Sequence, residues 1–279
     1  MSYNYLPLDR KELYFDQVKN LLDFDQLVSI TFYAHEQIEN GRNYLDNKLA
    51  TNELFEDINA INTTKLTAIQ IEQLQHDILC NNVVIEGIEM PKPIVKLLLM
   101  LKIKSLSYGQ SGIDIETVKR LMEMYNNDVL PVVYSTNQSN DKAVLSQLSL
   151  PLIGLGALYF NGEKMPSATA LSILNWQPLQ LKSQEALALI NGNQYTCAYG
   201  LYHLKMAEEQ LLVAPNNAKA TTEIFNKVLA VFMTEANMVV DSPQIFAEQD
   251  TISYLPMPTN QKMVDALQLL RNSINFSVI

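Results

Sequence analysis

One apolar stretch of this sequence restricts the fold more than any other. Residues 94–106, IVKLLLMLKIKSL, are almost continuously apolar, with Lys96, Lys102 and Lys104 set among them. The stretch is shorter than the roughly 20 apolar residues that a transmembrane helix needs, and lysines are costly inside a bilayer. We therefore expect a helix buried in a protein core and no membrane span.

Several other segments carry apolar residues at the three-to-four spacing of a helix that is buried on one face. In residues 114–128, Ile115, Val118 and Leu121 follow this spacing, and two asparagines and an aspartate end the run. Residues 69–82, 183–213 and 222–240 show the same pattern. Residues 183–213 are apolar nearly all round, which predicts one long helix inside a bundle.

Strand signals are few and short. Residues 129–133, VLPVV, and 156–165, GALYFNGEKM, are the best, and the pair Asn161 and Gly162 predicts a hairpin turn. Residues 214–220, APNNAKA, are typical of a linker. The sequence therefore predicts a mainly α protein, a helical bundle with a few short strands or hairpins.

Charge and composition exclude several kinds of partner. The 279 residues include 20 basic and 30 acidic side chains, a formal net charge of −10. This charge repels phosphate backbones and anionic lipid surfaces, so we expect neither nucleic acid nor a membrane as a partner. The first fifteen residues mix charged and aromatic side chains without an apolar core, so we expect no secretory signal and a cytoplasmic location.

The cysteines and histidines do not form a recognisable site. Cys80 and Cys197 are far apart in sequence and belong to no CxxC motif. His35, His76 and His203 stand alone, without a second ligand at a metal-binding spacing. We therefore expect no metal and no disulfide.

Four segments together point to one enzyme family. They are residues 97–133, 150–171 and 177–194, followed by 234–253 with its EANxVxDxPxxF pattern. In order and spacing they resemble the aromatic amino acid ammonia-lyases, a family that includes histidine, phenylalanine and tyrosine ammonia-lyases and related aminomutases. The resemblance implies the helical ammonia-lyase (fumarase/aspartase-like) fold.

The resemblance also locates the family's electrophile. In these lyases an internal Ala-Ser-Gly triad cyclises into a methylidene-imidazolone group when the glycine nitrogen attacks the alanine carbonyl. The matching positions here are Gln138, Ser139 and Asn140, followed by the family's aspartate as Asp141. Asn140 brings a branched side chain to a position where the backbone conformation favours glycine. We therefore expect no methylidene-imidazolone and no other cofactor.

Other pocket positions implied by the resemblance have also changed. The family's first active-site histidine falls on Asn82, and the nearest counterpart of its catalytic tyrosine is Tyr44. Asn191 is kept and would be the pocket asparagine, and Glu185 is kept beside it. Residues 254–258, YLPMP, replace the family's glycine-rich GGNFHG loop. Ser139 and Asn191 also have ordinary structural explanations, in a polar turn and before a glycine.

The comparison with the family predicts one shortened domain over residues 1–279. An internal segment is missing near residues 214–220, and the family's C-terminal half is absent. That half and the internal segment carry further active-site residues of the family. The ammonia-lyase reaction is therefore not expected of this chain alone.

Three functions remain open at this point. The first is a pseudoenzyme that acts through protein contacts, as a homo-oligomer or in a complex with a complete lyase or a biosynthetic enzyme. The second is an enzyme acting by another mechanism on an aromatic amino acid or a related aromatic or acyl substrate. Its candidate residues form no recognisable set; they are Tyr44, Cys80, Ser139, Asp141 and Glu185. The third is a sensor that binds an aromatic small molecule in the former pocket.

Overall fold

The computed structural model describes residues 5–51, 66–83, 87–136, 139–213, 218–238, 244–253 and 260–274. The helices in these ranges are α1 (Phe15–Phe24), α2 (Phe32–Ala50), α3 (Ala68–Cys80), α4 (Lys92–Leu106), α5 (Ile115–Asn126), α6 (Asp141–Ser149), α7 (Ser167–Ile173), α8 (Glu185–Ile190), α9 (Gln194–Val213), α10 (Ala218–Asn237) and α11 (Gln261–Ile274). The strands are β1 (Leu6–Leu8), β2 (Val28–Ile30), β3 (Ile88–Glu89), β4 (Leu130–Pro131), β5 (Tyr134–Ser135), β6 (Ala157–Phe160), β7 (Glu163–Pro166), β8 (Gln244–Phe246) and β9 (Thr251–Ser253). This confirms the predicted mainly α fold class.

Helix α4 lies at the centre of the core. Every residue from Leu97 to Leu106 is buried, and α5 and α9 pack against this helix. The apolar stretch of residues 94–106 therefore forms a core helix, as predicted. Because α4 is enclosed on all sides, its apolar residues are not confined to one face of the helix.

The two buried lysines of α4 hold neighbouring loops in place. Lys102 Nζ donates a hydrogen bond of 2.8 Å to the carbonyl of Asn191. Lys104 Nζ donates to the carbonyls of Asp9 and Lys11 and to the hydroxyl of Tyr108, at 2.9 to 3.0 Å. Burial lowers the pKa of Lys104 to about 8. These contacts explain why charged groups are tolerated in the core, since each ammonium is hydrogen-bonded.

Helices α9, α10 and α11 pack against one another, and α9 also packs against α4. At the crossing of α9 and α10, a Cβ atom added to Gly200 would lie 2.0 Å from Cε1 of the buried Phe232 ring. The absence of a side chain at position 200 therefore sets how closely these two helices approach.

We expect Gly200→Ala to lower the free energy of unfolding by about 2 kcal/mol, because the new methyl group overpacks this crossing. Replacing Phe232 by leucine in the same chain should remove part of the clash. Urea titration of the two single variants and the double variant measures this coupling. Purely additive effects would contradict the packing described for Gly200.

The strands form small peripheral sheets. β1 pairs in parallel with β2, and the pairs β3 with β5 and β8 with β9 are antiparallel. β6 pairs with both β4 and β7 in an antiparallel sheet. Asn161 and Gly162 connect β6 to β7 with positive φ values of 50° and 81°, which confirms the predicted hairpin turn.

Two sequence-based boundaries were wrong. The predicted single helix over residues 183–213 is divided into α8 and α9, because Gly192 has a φ of 128° that no helix can contain. The predicted linker is also shorter than expected, since Ala218–Ala220 belong to α10. Residues 214–217 lie outside the described residues.

Among the described helices, none has both the length and the apolar composition that crossing a membrane requires.

Candidate functional site

The loop that precedes α6 contains two of the predicted site residues. Asn140 has an extended backbone, with φ −105° and ψ 161°, and its Oδ1 accepts a hydrogen bond of 2.9 Å from the amide of Ala143. Ser139 donates its amide to the carbonyl of Thr136, and its Oγ accepts from the Thr136 amide at 2.8 Å. Asn140 is therefore the N-cap of α6, and Ser139 closes the turn before it. Gln138 lies outside the described residues.

Asp141, the first residue of α6, joins three parts of the chain. Its carboxylate accepts hydrogen bonds from the hydroxyl of Thr196 at 2.7 Å, from the Thr196 amide at 3.1 Å, and from the side-chain amide of Asn260. Burial raises the pKa of Asp141, and the hydrogen bonds from Thr196 and Asn260 offset only part of this rise. The aspartate thus fixes the start of α9 and the residue before α11 to the start of α6.

Asn191 lies at the end of α8. Its carbonyl accepts the hydrogen bond from Lys102. Two residues later, the side chain of Asn193 donates to Glu235 Oε2 of α10 at 3.0 Å. The turn between α8 and α9 is therefore tied to both α4 and α10. The predicted pocket asparagine lies in this turn, and the structure gives it no hydrogen bond to Ser139 or Asn140 among the bonds described above.

Asn82 and Tyr44 lie on other elements. Asn82 follows α3, and its side chain donates back to the carbonyl of Ile78 at 2.8 Å. Tyr44 lies on α2, and its hydroxyl donates to Asp250 at 3.0 Å, beside the ion pair between Lys48 and Asp250. The pKa of Asp250 is lowered by the hydrogen bonds from Lys48 and then Tyr44. Both candidate residues therefore have structural hydrogen bonds in this chain.

Glu185 is buried at the start of α8 and accepts three hydrogen bonds. They come from the Thr117 hydroxyl at 2.7 Å, the Asp114 amide at 3.0 Å and the Lys182 amide at 2.7 Å. Burial raises the pKa of Glu185, and these donors oppose that effect. The side chain joins the start of α8 to the start of α5.

Cys80 is not an activated thiol. Its Sγ lies 3.8 Å from Nε2 and 3.9 Å from Nδ1 of His76, so neither ring nitrogen is singled out as a partner. Burial, followed by the nearby charge of Asp77, raises the pKa of Cys80. A raised pKa leaves little thiolate at neutral pH, so this cysteine is a poor nucleophile.

Sequence reasoning missed the roles of Asn237 and Arg42. Asn237, in the EAN motif, accepts from the Leu13 amide at 2.7 Å and donates to the Leu13 carbonyl at 3.0 Å. The buried Arg42 donates to the carbonyls of Gly112 and Ser183, each at 2.9 Å. The motif itself was the available signal for Asn237, whereas nothing local marks Arg42.

No three His, Cys, Asp or Glu side chains in the described part of the chain are grouped as a metal site requires.

The capping role of Asn140 can be measured. Asn140→Ala removes the acceptor for the Ala143 amide, and we expect a loss of about 1 kcal/mol in the free energy of unfolding. Asn140→Ser keeps a capping oxygen and should lose much less. Equal losses in urea titrations of the two variants would show that the side chain does not cap α6.

Comparison with protein families identifies the chain's relatives. The family model described as aromatic amino acid lyase matches residues 13–245. The histidine ammonia-lyase of Deinococcus radiodurans is 31% identical over 224 residues, which cover 78% of this chain and 42% of that protein. The histidine ammonia-lyase of Chloroflexus aurantiacus is 39% identical over 142 residues, which cover 50% of this chain and 27% of that protein. The chain thus spans less than half the length of these relatives.

Solved structures with the same fold include two enzymes that cover nearly all of this chain. The histidine ammonia-lyase of Trypanosoma cruzi matches with a TM-score of 0.83 and 22% identity, over 97% of this chain and 64% of that chain. The ergothionase of Treponema denticola matches with a TM-score of 0.86 and 17% identity, over 97% and 69%. These likenesses establish the ammonia-lyase fold. Taken with the family model over residues 13–245, they show that the chain belongs to the aromatic amino acid lyase family.

Proposed function

We propose that this protein is a non-catalytic member of the aromatic amino acid lyase family that acts as a subunit of a protein assembly. The observation that carries the proposal is the N-cap of α6. Asn140 stands where the family's electrophile-forming triad has its glycine, and its side chain is bound to the Ala143 amide. The position therefore has a structural use that the family's glycine cannot provide.

The residues around Asn140 do not fit the methylidene-imidazolone group. Ring formation in the family needs the sequence Ala-Ser-Gly, and here Gln138 and Asn140 flank the serine. The backbone of Asn140 is extended with a negative φ, as an N-cap requires, and Ser139 Oγ is occupied by the Thr136 amide. These residues therefore support no catalytic step through this group.

A different reaction in the same place has little support from the contacts. Three candidates for acid, base or nucleophile already accept structural hydrogen bonds. Ser139 closes the turn before α6, and Asp141 and Glu185 hold the starts of α9 and α5. A catalytic acid or base must instead be directed at a substrate. This favours the subunit proposal over an enzyme with a new mechanism.

The contact face that we propose for the assembly lies on α9. Its half-buried rings Tyr195, Tyr199 and His203 recur every four residues, and neighbouring ring centroids are 6.2 Å and 4.4 Å apart. On α11, which packs against α9, Val264 and Leu269 are each nearly half exposed. Aromatic side chains that are partly exposed at helical spacing are typical of helix-packing interfaces. We propose a homo-oligomer through this face, and the cytoplasmic location expected from the sequence stays a prediction.

Two measurements on the purified protein test the proposal. Incubation with L-histidine, L-phenylalanine or L-tyrosine should release no ammonia. Sedimentation should show an assembly larger than a monomer, which Tyr199→Glu should dissociate and Phe24→Glu, an exposed aromatic on α1, should leave intact. Ammonia release, or a monomer at every protein concentration, would contradict the proposal.

A further inference from the structure

A small polar cleft lies beside α2, away from the candidate site residues. It has a volume of about 250 Å³ and is enclosed by α2, by the turn after α4, and by β8 with the residues that follow it. Its polar side chains are Arg10, Gln37, Asn40, Gln110, Glu248 and Gln249. None of Ser139, Asn140, Asn82 or Asn191 lines it.

The cleft is built on close backbone contacts. A Cβ atom at Gly41 of α2 would lie 2.2 Å from the carbonyl oxygen of Gly109, so the helix and the turn touch without an intervening side chain. The Ile245 amide donates to the Gln110 carbonyl at 2.7 Å, which attaches β8 to the same turn. The three walls are therefore fixed relative to one another.

One cation, Arg10, and one anion, Glu248, line this cleft. Arg10 Nη2 donates to the Tyr108 carbonyl at 3.1 Å and to Gln37 Oε1 at 3.3 Å, and the guanidinium carbon lies 5.9 Å from the centroid of the Tyr33 ring. Within the described residues, no hydrogen bond uses the Nε or Nη1 donors of Arg10. Within the described ranges, neither Arg10 nor Glu248 forms a salt bridge. A ligand that carries both charges would satisfy both groups.

The remaining polar groups of the cleft are amides. In the part of the chain that the structure describes, the side chains of Asn40, Gln110 and Gln249 have no hydrogen-bond partner in the protein. A primary amide can both donate and accept, so these groups match a ligand with an amide or hydroxyl group of its own.

We propose that this cleft binds a small amino acid zwitterion, with the ligand's carboxylate on Arg10 and its ammonium on Glu248. The volume suits a molecule of the size of glutamine, whose side-chain amide would meet Asn40, Gln110 and Gln249. The proposal is independent of the function proposed above, because it uses a different set of residues.

Isothermal titration with three probes tests the charge requirement. L-Glutamine carries both charges, acetate has only the carboxylate, and ethylamine has only the ammonium. We expect saturable binding of L-glutamine, and binding of the other two weaker by at least about tenfold. Absence of saturable L-glutamine binding, or equal binding of acetate, would overturn the proposal.

Matched variants locate the binding. Arg10→Met and Glu248→Gln should each weaken L-glutamine binding by at least about tenfold. Arg120→Met changes an arginine that stacks on Trp176 outside the cleft and should leave binding unchanged. Because Arg10 and Glu248 are exposed, thermal melts should show that these variants remain folded. Binding that survives both cleft substitutions would place the ligand elsewhere and overturn the proposal.

Discussion

Gly41→Ala is expected to lower the free energy of unfolding by about 3 kcal/mol or more. A Cβ at this position would lie 2.2 Å from the carbonyl oxygen of Gly109, far closer than real Cβ contacts. The obstacle is backbone, so no side-chain rotation relieves it, and α2 or the turn after α4 must move. Movement there would also disturb the neighbouring Arg42, which holds the Gly112 and Ser183 carbonyls.

The neighbouring residue provides the control for this substitution. Asn40 is exposed on the same helix, and Asn40→Ala should change the free energy of unfolding by less than about 0.5 kcal/mol. Urea titration of both variants compares them directly. Alanine is a better helix former than glycine by about 1 kcal/mol, so a more stable Gly41→Ala protein would mean that the contact with Gly109 is absent.

Glu185→Ala is the second substitution with a large expected effect. It removes the acceptor for the Thr117 hydroxyl and for the Asp114 and Lys182 amides at the start of α8. Leaving the buried Thr117 hydroxyl without a partner costs about 1–3 kcal/mol, and the two part-buried amides add less because water can reach them. We expect a loss of about 3 kcal/mol in the free energy of unfolding. Glu116→Ala, which breaks an exposed ion pair with Lys119, should lose less than about 1 kcal/mol.

The pH dependence of the same site has a definite sign. Burial raises the pKa of Glu185 above its ordinary value of 4.5, so above that pH the folded state binds more protons than the unfolded state. The wild-type protein therefore loses stability from this group as the pH rises above 4.5. Glu185→Gln removes the titration, so its destabilisation relative to wild type should be larger at pH 4 than at pH 7. An equal difference at the two pH values would contradict the raised pKa.

Local sequence patterns predicted the central helices because apolar spacing directly reflects burial. The break between α8 and α9 was missed because the apolar spacing continues across Asn191–Asn193, and only the backbone of Gly192 interrupts the helix. Helices α1, α2 and α11 were not predicted, although Phe15, Val18 and Leu21 of α1 are spaced as a buried face. The apolar spacing that predicts α1 was therefore present in the sequence.

The candidate site was predictable only in part. The resemblance to the family implies a replacement at Asn140, and asparagine before a helix favours an N-cap. Contacts between distant residues could not be predicted in this way. Tyr44 and Asp250 are 206 positions apart, and Leu13 and Asn237 are 224 apart. Such pairs are brought together by tertiary packing, and the local spacing of apolar residues does not predict them.

The most direct test of the account is the mass of the peptide that contains residues 138–140. Trypsin cleaves after Arg120 and Lys142, and the peptide from Leu121 to Lys142 carries the whole loop. If Asn140 serves only as the cap of α6, the peptide from protein purified from its own cells has the full mass of its sequence. A peptide lighter by two waters would show that the ring has formed despite Gln138 and Asn140, and would contradict the non-catalytic account.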